Sequence, residues 1–155
     1  MNTRDSETST PPYLEEVIAI AIEAGKLTLK HRRDPHVAEK GDHGEDTSPV
    51  TDADLAANQY IVEHLTLLDP QIPITSEETK SAAYQKRKSW PRFWLVDPLD
   101  GTREFVQGSD EFTVNIALID NREPVMGVIC VPAAQLLYYA ETGRGSWKKR
   151  GRRST

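Results

Sequence analysis

Cysteine is almost missing from this chain: Cys130 is the only one among 155 residues. No internal disulfide can form, so burial must hold the fold together, as is usual where thiols stay reduced. Aromatic residues make up 7% of the chain and apolar residues 37%. No apolar run approaches the roughly 18 residues that a membrane helix needs. The opening residues, "MNTRDSETSTPPY", lack the apolar stretch of a secretory signal, so the expected location is the cytoplasm. Positive charge is in deficit too: 19 Lys and Arg against 24 Asp and Glu leave a net charge of −5. Such a balance argues against general nucleic-acid binding. The last eight residues, "KKRGRRST", break that average with five cations and no apolar side chain. They read as a solvated, disordered tail. The alternative is a nucleic-acid or acidic-lipid contact, the latter peripheral to the inner membrane.

What remains is enough for one domain, which at this length buries roughly 70% of its unfolded surface. Residues 1–11 read as a disordered leader. From Tyr13 to about Arg33, apolar residues recur at positions 14, 17, 18, 21 and 25 or 28, a helical spacing. The segment 34–50 is charged and broken by Pro35 and Pro49, which predicts a loop. A second helix is expected from about Thr51, with Leu55, Val62, Leu65 and Leu68 as its buried stripe and Pro70 as its stop. Ile72 and Ile74 suggest a short strand leading into "SEE". "FWLV" reads as a fully buried strand. Then "FTVNIALI", "PVMGVICV" and "QLLYYA", joined by short turns, predict an antiparallel meander. Two helices followed by a sheet imply an α+β fold.

The chemistry gathers around "WLVDPLDGTREF", where a strand runs into Asp97 and Asp100. Carboxylates held so close repel unless they share a proton or a cation. Hard divalent cations favour such oxygens and backbone carbonyls, so Leu99 C=O is a further candidate. The plainer reading makes Asp100 a cap for a helix over "GTREF". "ITSEET" sets Glu77 and Glu78 at another strand exit, and "SPVTDADLAAN" opens the second helix with Thr51 and Asp54 spaced as a capping box. Each motif has a bland reading as turn or cap. Three acidic element ends in one small domain point instead to a convergent site. Thr102 adds a hydroxyl, and the Gly101 and Thr102 N–H groups would face outward from a helix start and attract phosphate.

Those strings, "SPVTDADLAAN", "SEE" and "WLVDPLDGTREFVQGSDEFTVNIALI", resemble the inositol monophosphatase superfamily of magnesium-dependent, lithium-sensitive phosphatases. They lie nearest its 3'(2'),5'-bisphosphate nucleotidase branch, which serves sulfur metabolism. The resemblance covers about residues 13–147 and implies a layered α/β sandwich, truncated after its N-terminal part. It also implies that Glu77, Asp97 and the Leu99 carbonyl bind a first Mg2+, and that Asp97 bridges to a second held by Asp100, in a set of two or three ions. By the same resemblance Glu77, Asp54 and Thr102 are catalytic, the last two orienting and deprotonating the attacking water. Substrate would contact Glu77, Leu99, Asp100, Gly101 and Thr102, with Glu78 standing behind Glu77. The implied reaction removes the 3'-phosphate of 3'-phosphoadenosine 5'-phosphate and leaves AMP.

Two departures accompany the likeness. The loop "KGDHGEDTSPVT" is expected to be longer than in many members of that family, and the family's Trp-Asp motif, which supplies another metal-binding aspartate, is absent. The implied division is 1–11 leader, 12–147 the N-terminal part of a phosphatase domain, and 148–155 basic tail. Alternatives stay open: an inositol or sugar-phosphate phosphatase of the same superfamily, or an inactive metal-binding fragment. A haloacid-dehalogenase reading of "DPLDGT" fits less well, since that family spaces its aspartates two apart and these are three apart. The expected partner is a small phosphate ester. With apolar sheet or a strand edge uncovered, the chain is also expected to aggregate or form a homodimer. The four histidines show no ligand spacing and read as surface residues; Met126 and Cys130 read as core.

Overall fold

A computed structural model of the chain describes residues 13–32, 37–38, 50–78 and 84–151. The expected leader and most of the expected 34–50 loop, with His36 and His43, lie outside them. Helix α1, Leu14–Arg32, buries Leu14, Val17, Ala21, Gly25 and Thr28 as its periodicity predicts, together with Ile20 and Ala24, while Ile18 is only partly buried. Two short strands, β1 (Val37–Ala38) and β2 (Val50–Thr51), pair antiparallel just before helix α2, Asp52–Leu68. The buried stripe of α2 differs from expectation: it is Ala53, Asp54, Ala57, Ile61 and Leu65. Leu55 is 48% exposed. Leu65 is buried as expected, but the rest of the packed face is marked by Ala53, Ala57 and Ile61 rather than by Leu55 or Val62.

The sheet follows. Its strands are β3 (Ile74–Ser76), β4 (Arg92–Asp100), β5 (Thr113–Asp120), β6 (Glu123–Val131), β7 (Leu136–Glu141) and β8 (Gly145–Arg150), in that spatial order. Short helices α3 (Tyr84–Arg87) and α4 (Thr102–Val106) flank β4 in the chain. Only the β3–β4 pair is parallel; β4 through β8 run antiparallel, which contains the expected meander. The β5–β6 turn has Asn121 and Arg122 at φ 49° and 69°, the left-handed pair of a two-residue hairpin.

One face of this sheet meets the helices. Trp94, Val96, Val114, Ile116, Leu118, Met126, Val128 and Leu137 pack against Val17, Ile20, Ala24, Ile61 and Leu65. Gly25 permits the approach of α1, since a Cβ there would lie 2.9 Å from Pro132 Cγ. "FWLV" is therefore not buried throughout. Trp94 and Val96 point inward, whereas Leu95 is 47% exposed on the opposite face. That outer face also bears Ile129 and Tyr138, paired across β6 and β7 and both exposed. Lys148, Lys149 and Arg150, expected in a solvated tail, form the end of β8 and pair with β7. Their side chains are exposed as expected, but the backbone is the sheet's edge.

Candidate active site

Four acidic residues from three elements meet at one end of the sheet. Asp54 stands on the first turn of α2 and is 1% exposed. One turn on, Asn58 Oδ1 accepts from Ser76 Oγ at 2.5 Å, which ties α2 to the end of β3. Beyond Ser76 the chain turns, and Glu77 N–H donates to Val96 O at 3.2 Å. That bond carries the β3–β4 pairing one residue past the strand and sets Glu77 beside Asp97. Glu77 itself is exposed. Glu78, the residue expected behind it, is half-buried, and its N–H donates to Ser76 Oγ at 3.4 Å.

Asp97 and Asp100 do not follow β4, as expected; they lie within it. The register runs cleanly to Asp97 opposite Asn115 and resumes at Asp100 opposite Thr113. Three steps on β4 match two on β5, so one extra residue bulges around Pro98 and Leu99. A bulge bends a strand and re-aims its side chains. Pro98 suits that place, since it has no N–H to give to a ladder. Pro98 and Leu99 turn inward, while Asp97 is half-buried and Asp100 exposed.

Burial pushes the Asp97 carboxyl up to about 6, helped by the negative charges of Asp100, Glu77 and Asp54; an N–H bond from Leu99 pulls the other way. The Leu99 carbonyl accepts from Thr102 Oγ1 at 3.4 Å. Gly101 is the N-cap of α4 at φ 90°, ψ 43°, with no side-chain capping bond, so Asp100 is not the cap of the plainer reading. Only glycine fits there, because a Cβ would lie 2.9 Å from Glu111 O. Asp100 Oδ2 instead accepts from Asn115 Nδ2 at 3.4 Å.

The carboxylates stand in range to repel one another, but among the described residues no three acidic, histidine or cysteine side chains are drawn together tightly enough to ligate an ion as they stand. The donor chemistry still fits a hard divalent cation: oxygen ligands only, in a pocket of excess negative charge, with Glu77 and Asp100 exposed enough to turn. His64 lies apart, half-buried and stacked on Tyr60 with Nδ1 2.8 Å from Tyr60 O. Cys130 is core as expected, and burial pushes its thiol up to about 11, which makes it a poor nucleophile. Motif reading missed Asn58, Ser76 and Asn115. The alternation of "FTVNIALI" was signal enough for the last, since it puts Asn115 on the face opposite Val114 and Ile116.

Comparison with known proteins agrees with the fold. Residues 11–154 match the inositol monophosphatase family. Among curated relatives, a 3'(2'),5'-bisphosphate nucleotidase CysQ of Salmonella typhimurium is 45% identical over 88% of this chain and 54% of its own length. The crystal structure of CysQ from Bacteroides thetaiotaomicron, a bacterial member of the inositol monophosphatase family, aligns with a TM-score of 0.72 and 43% identity over 90% of this chain and 50% of that one. The extragenic suppressor protein suhB of Bartonella henselae aligns with a TM-score of 0.74 and 28% identity over 86% of this chain and 50% of that one. The chain thus spans about half the length of the curated relatives it matches.

Proposed function

The chain belongs to the inositol monophosphatase family, and from that premise we propose that it carries the acidic side of a cation-dependent phosphomonoesterase site for bisphosphate nucleotides. The observation behind this reading is that Asp54 of α2 and Glu77 after β3 come near Asp97 and Asp100 of the bulged strand β4. The substrate class rests on similarity to relatives named 3'(2'),5'-bisphosphate nucleotidase.

In this reading Glu77, Asp97, Asp100 and the Leu99 carbonyl would hold two Mg2+ ions, with Asp97 serving both. Such ions would supply acidity to the attacking water near neutral pH and charge to stabilise the leaving oxygen. The chain's own groups do the rest. Asp54 and Thr102 orient the attacking water, whose proton passes by way of the Thr102 hydroxyl to the Asp54 carboxylate. The N–H groups of Gly101 and Thr102 steady the phosphate oxygens. A new P–O bond forms from water, the bond to the ribose 3'-oxygen breaks, and that oxygen takes up a proton, giving AMP and phosphate from 3'-phosphoadenosine 5'-phosphate. The proposed setting for the reaction is the cytoplasm. Among the described residues no helix is long and apolar enough to cross a membrane.

The test is phosphate release from a panel of nucleotide, inositol and sugar phosphates, with and without Mg2+. Turnover of the bisphosphate nucleotide only with Mg2+, and its suppression by Li+, is expected. Full activity in excess chelator would overturn the cation reading. Turnover confined to inositol or sugar phosphates would move the substrate within the family.

A further inference from the structure

Asn115 belongs to none of the acidic motifs, yet it lies directly opposite Asp97 in the β4–β5 register. Facing residues of an antiparallel pair stand on the same side of the sheet, with Cβ atoms about 4.5–5.5 Å apart. Its Nδ2 donates to Asp100 Oδ2 at 3.4 Å. Its Oδ1 is buried and has no hydrogen-bond partner among the described residues. So one amide spans the gap between the two aspartates: one end is engaged, and the other carries an uncompensated desolvation cost.

The residue type suits that place. A lysine would neutralise the carboxylates and compete with a cation, and another carboxylate would add to the repulsion already acting on Asp97. An amide offers a donor without charge. Its orientation is also fixed, since turning it over would set Oδ1 against the Asp100 carboxylate.

We propose that Asn115 is a positioning residue for the cation site. Its Nδ2 holds Asp100 Oδ2 so that the other carboxylate oxygen stays available to an ion, and its Oδ1 accepts a hydrogen from a water or hydroxyl that enters with the ion. This rests on the cation-dependent reading above. Groups that orient a metal's ligands typically change metal affinity 10–100-fold when removed.

The experiment is a titration of the full 155-residue chain with Mn2+, following free ion by electron paramagnetic resonance, for the parent, Asn115→Ala and Asn115→Val. Valine suits a strand and leaves no buried oxygen unpaired, so the metal-free Asn115→Val protein should melt no lower than the parent. Both variants should bind Mn2+ at least about 10-fold more weakly. Unchanged Mn2+ affinity in the folded variants, with or without a lowered melting temperature, would overturn the assignment and leave the proposed function standing. A parent that binds no Mn2+ would overturn the cation reading itself, and the role of Asn115 with it.

Discussion

Asp97 bears the conflict of this site in a single side chain. Burial and three neighbouring carboxylates raise its pKa from 3.8 to about 6. The folded state therefore keeps a proton at pH values where the unfolded chain has lost it. Stability from this group is present at low pH and declines as pH rises through that window, and above about 6 the ionised form is a net cost. Asp97→Asn removes the charge and keeps the shape. In chelator the variant should match the parent near pH 4 and exceed it at pH 7 by roughly 1–2 kcal/mol, once solvent screening of a half-buried group is allowed for. Urea unfolding at the two pH values measures this; an equal difference at both would mean that Asp97 is not the strained group. The residues under such strain were legible in the sequence, because closely spaced carboxylates beside a glycine announce themselves. Asn58 and Ser76 were not, and strand alternation gave Asn115 its face but not its partner, since a neutral polar side chain acquires a role only through what the fold sets opposite it.

At the scale of elements, the turn after β4 depends on a brace from a distant helix. Arg32, at the end of α1, stacks its guanidinium 5.4 Å from the Phe105 ring and 5.2 Å from the Phe112 ring. It also donates to Asp110 Oδ1 at 3.2 Å and to the Ser109 carbonyl. Phe105 and Phe112 meet edge to face and, with Ala53 and Leu99, form a small core beneath the site. Arg32→Ala should cost about 1–3 kcal/mol in chemical unfolding. Arg32→Lys should recover less than half of it, because an ammonium cannot stack and fork at once. Full recovery by lysine would show that charge alone braces the loop. Periodicity located α1 and the alternation of "FTVNIALI" located β5, because burial on one face writes itself into both patterns. The same logic misled at α2, where leucines outweighed alanines, and at "FWLV", where an outward Leu95 made a one-sided strand look enclosed. Nothing apolar marked β8 except Trp147: an edge strand is held by its backbone pairing to β7, which side-chain pattern does not record.

Among the described residues the sheet is covered on one side. Its inner face is filled by α1 and α2, whereas Leu95, Ile129 and Tyr138 stand 47%, 44% and 38% exposed on the other. Asp97 and Asn115 open onto that same outer face, so the candidate site and the bare apolar surface are neighbours. Such surface favours association. Among the described residues the sheet offers the outer face first and the edge of β8 second, its other edge, β3, being only three residues long. Lys148, Lys149 and Arg150 oppose the second, since edge-to-edge pairing of two copies would bring like charges together. Self-association of the 155-residue chain is therefore expected through the outer face. In sedimentation velocity the parent should run larger than a monomer, and Leu95→Lys with Ile129→Lys should shift it toward the monomer. Lys149→Glu, which eases repulsion at the edge, should not be needed for assembly and should not enlarge it. A monomeric parent would refute the association. Assembly that survives the double lysine change but responds to Lys149→Glu would put the contact on β8 and show that three cations are too few to guard an open strand.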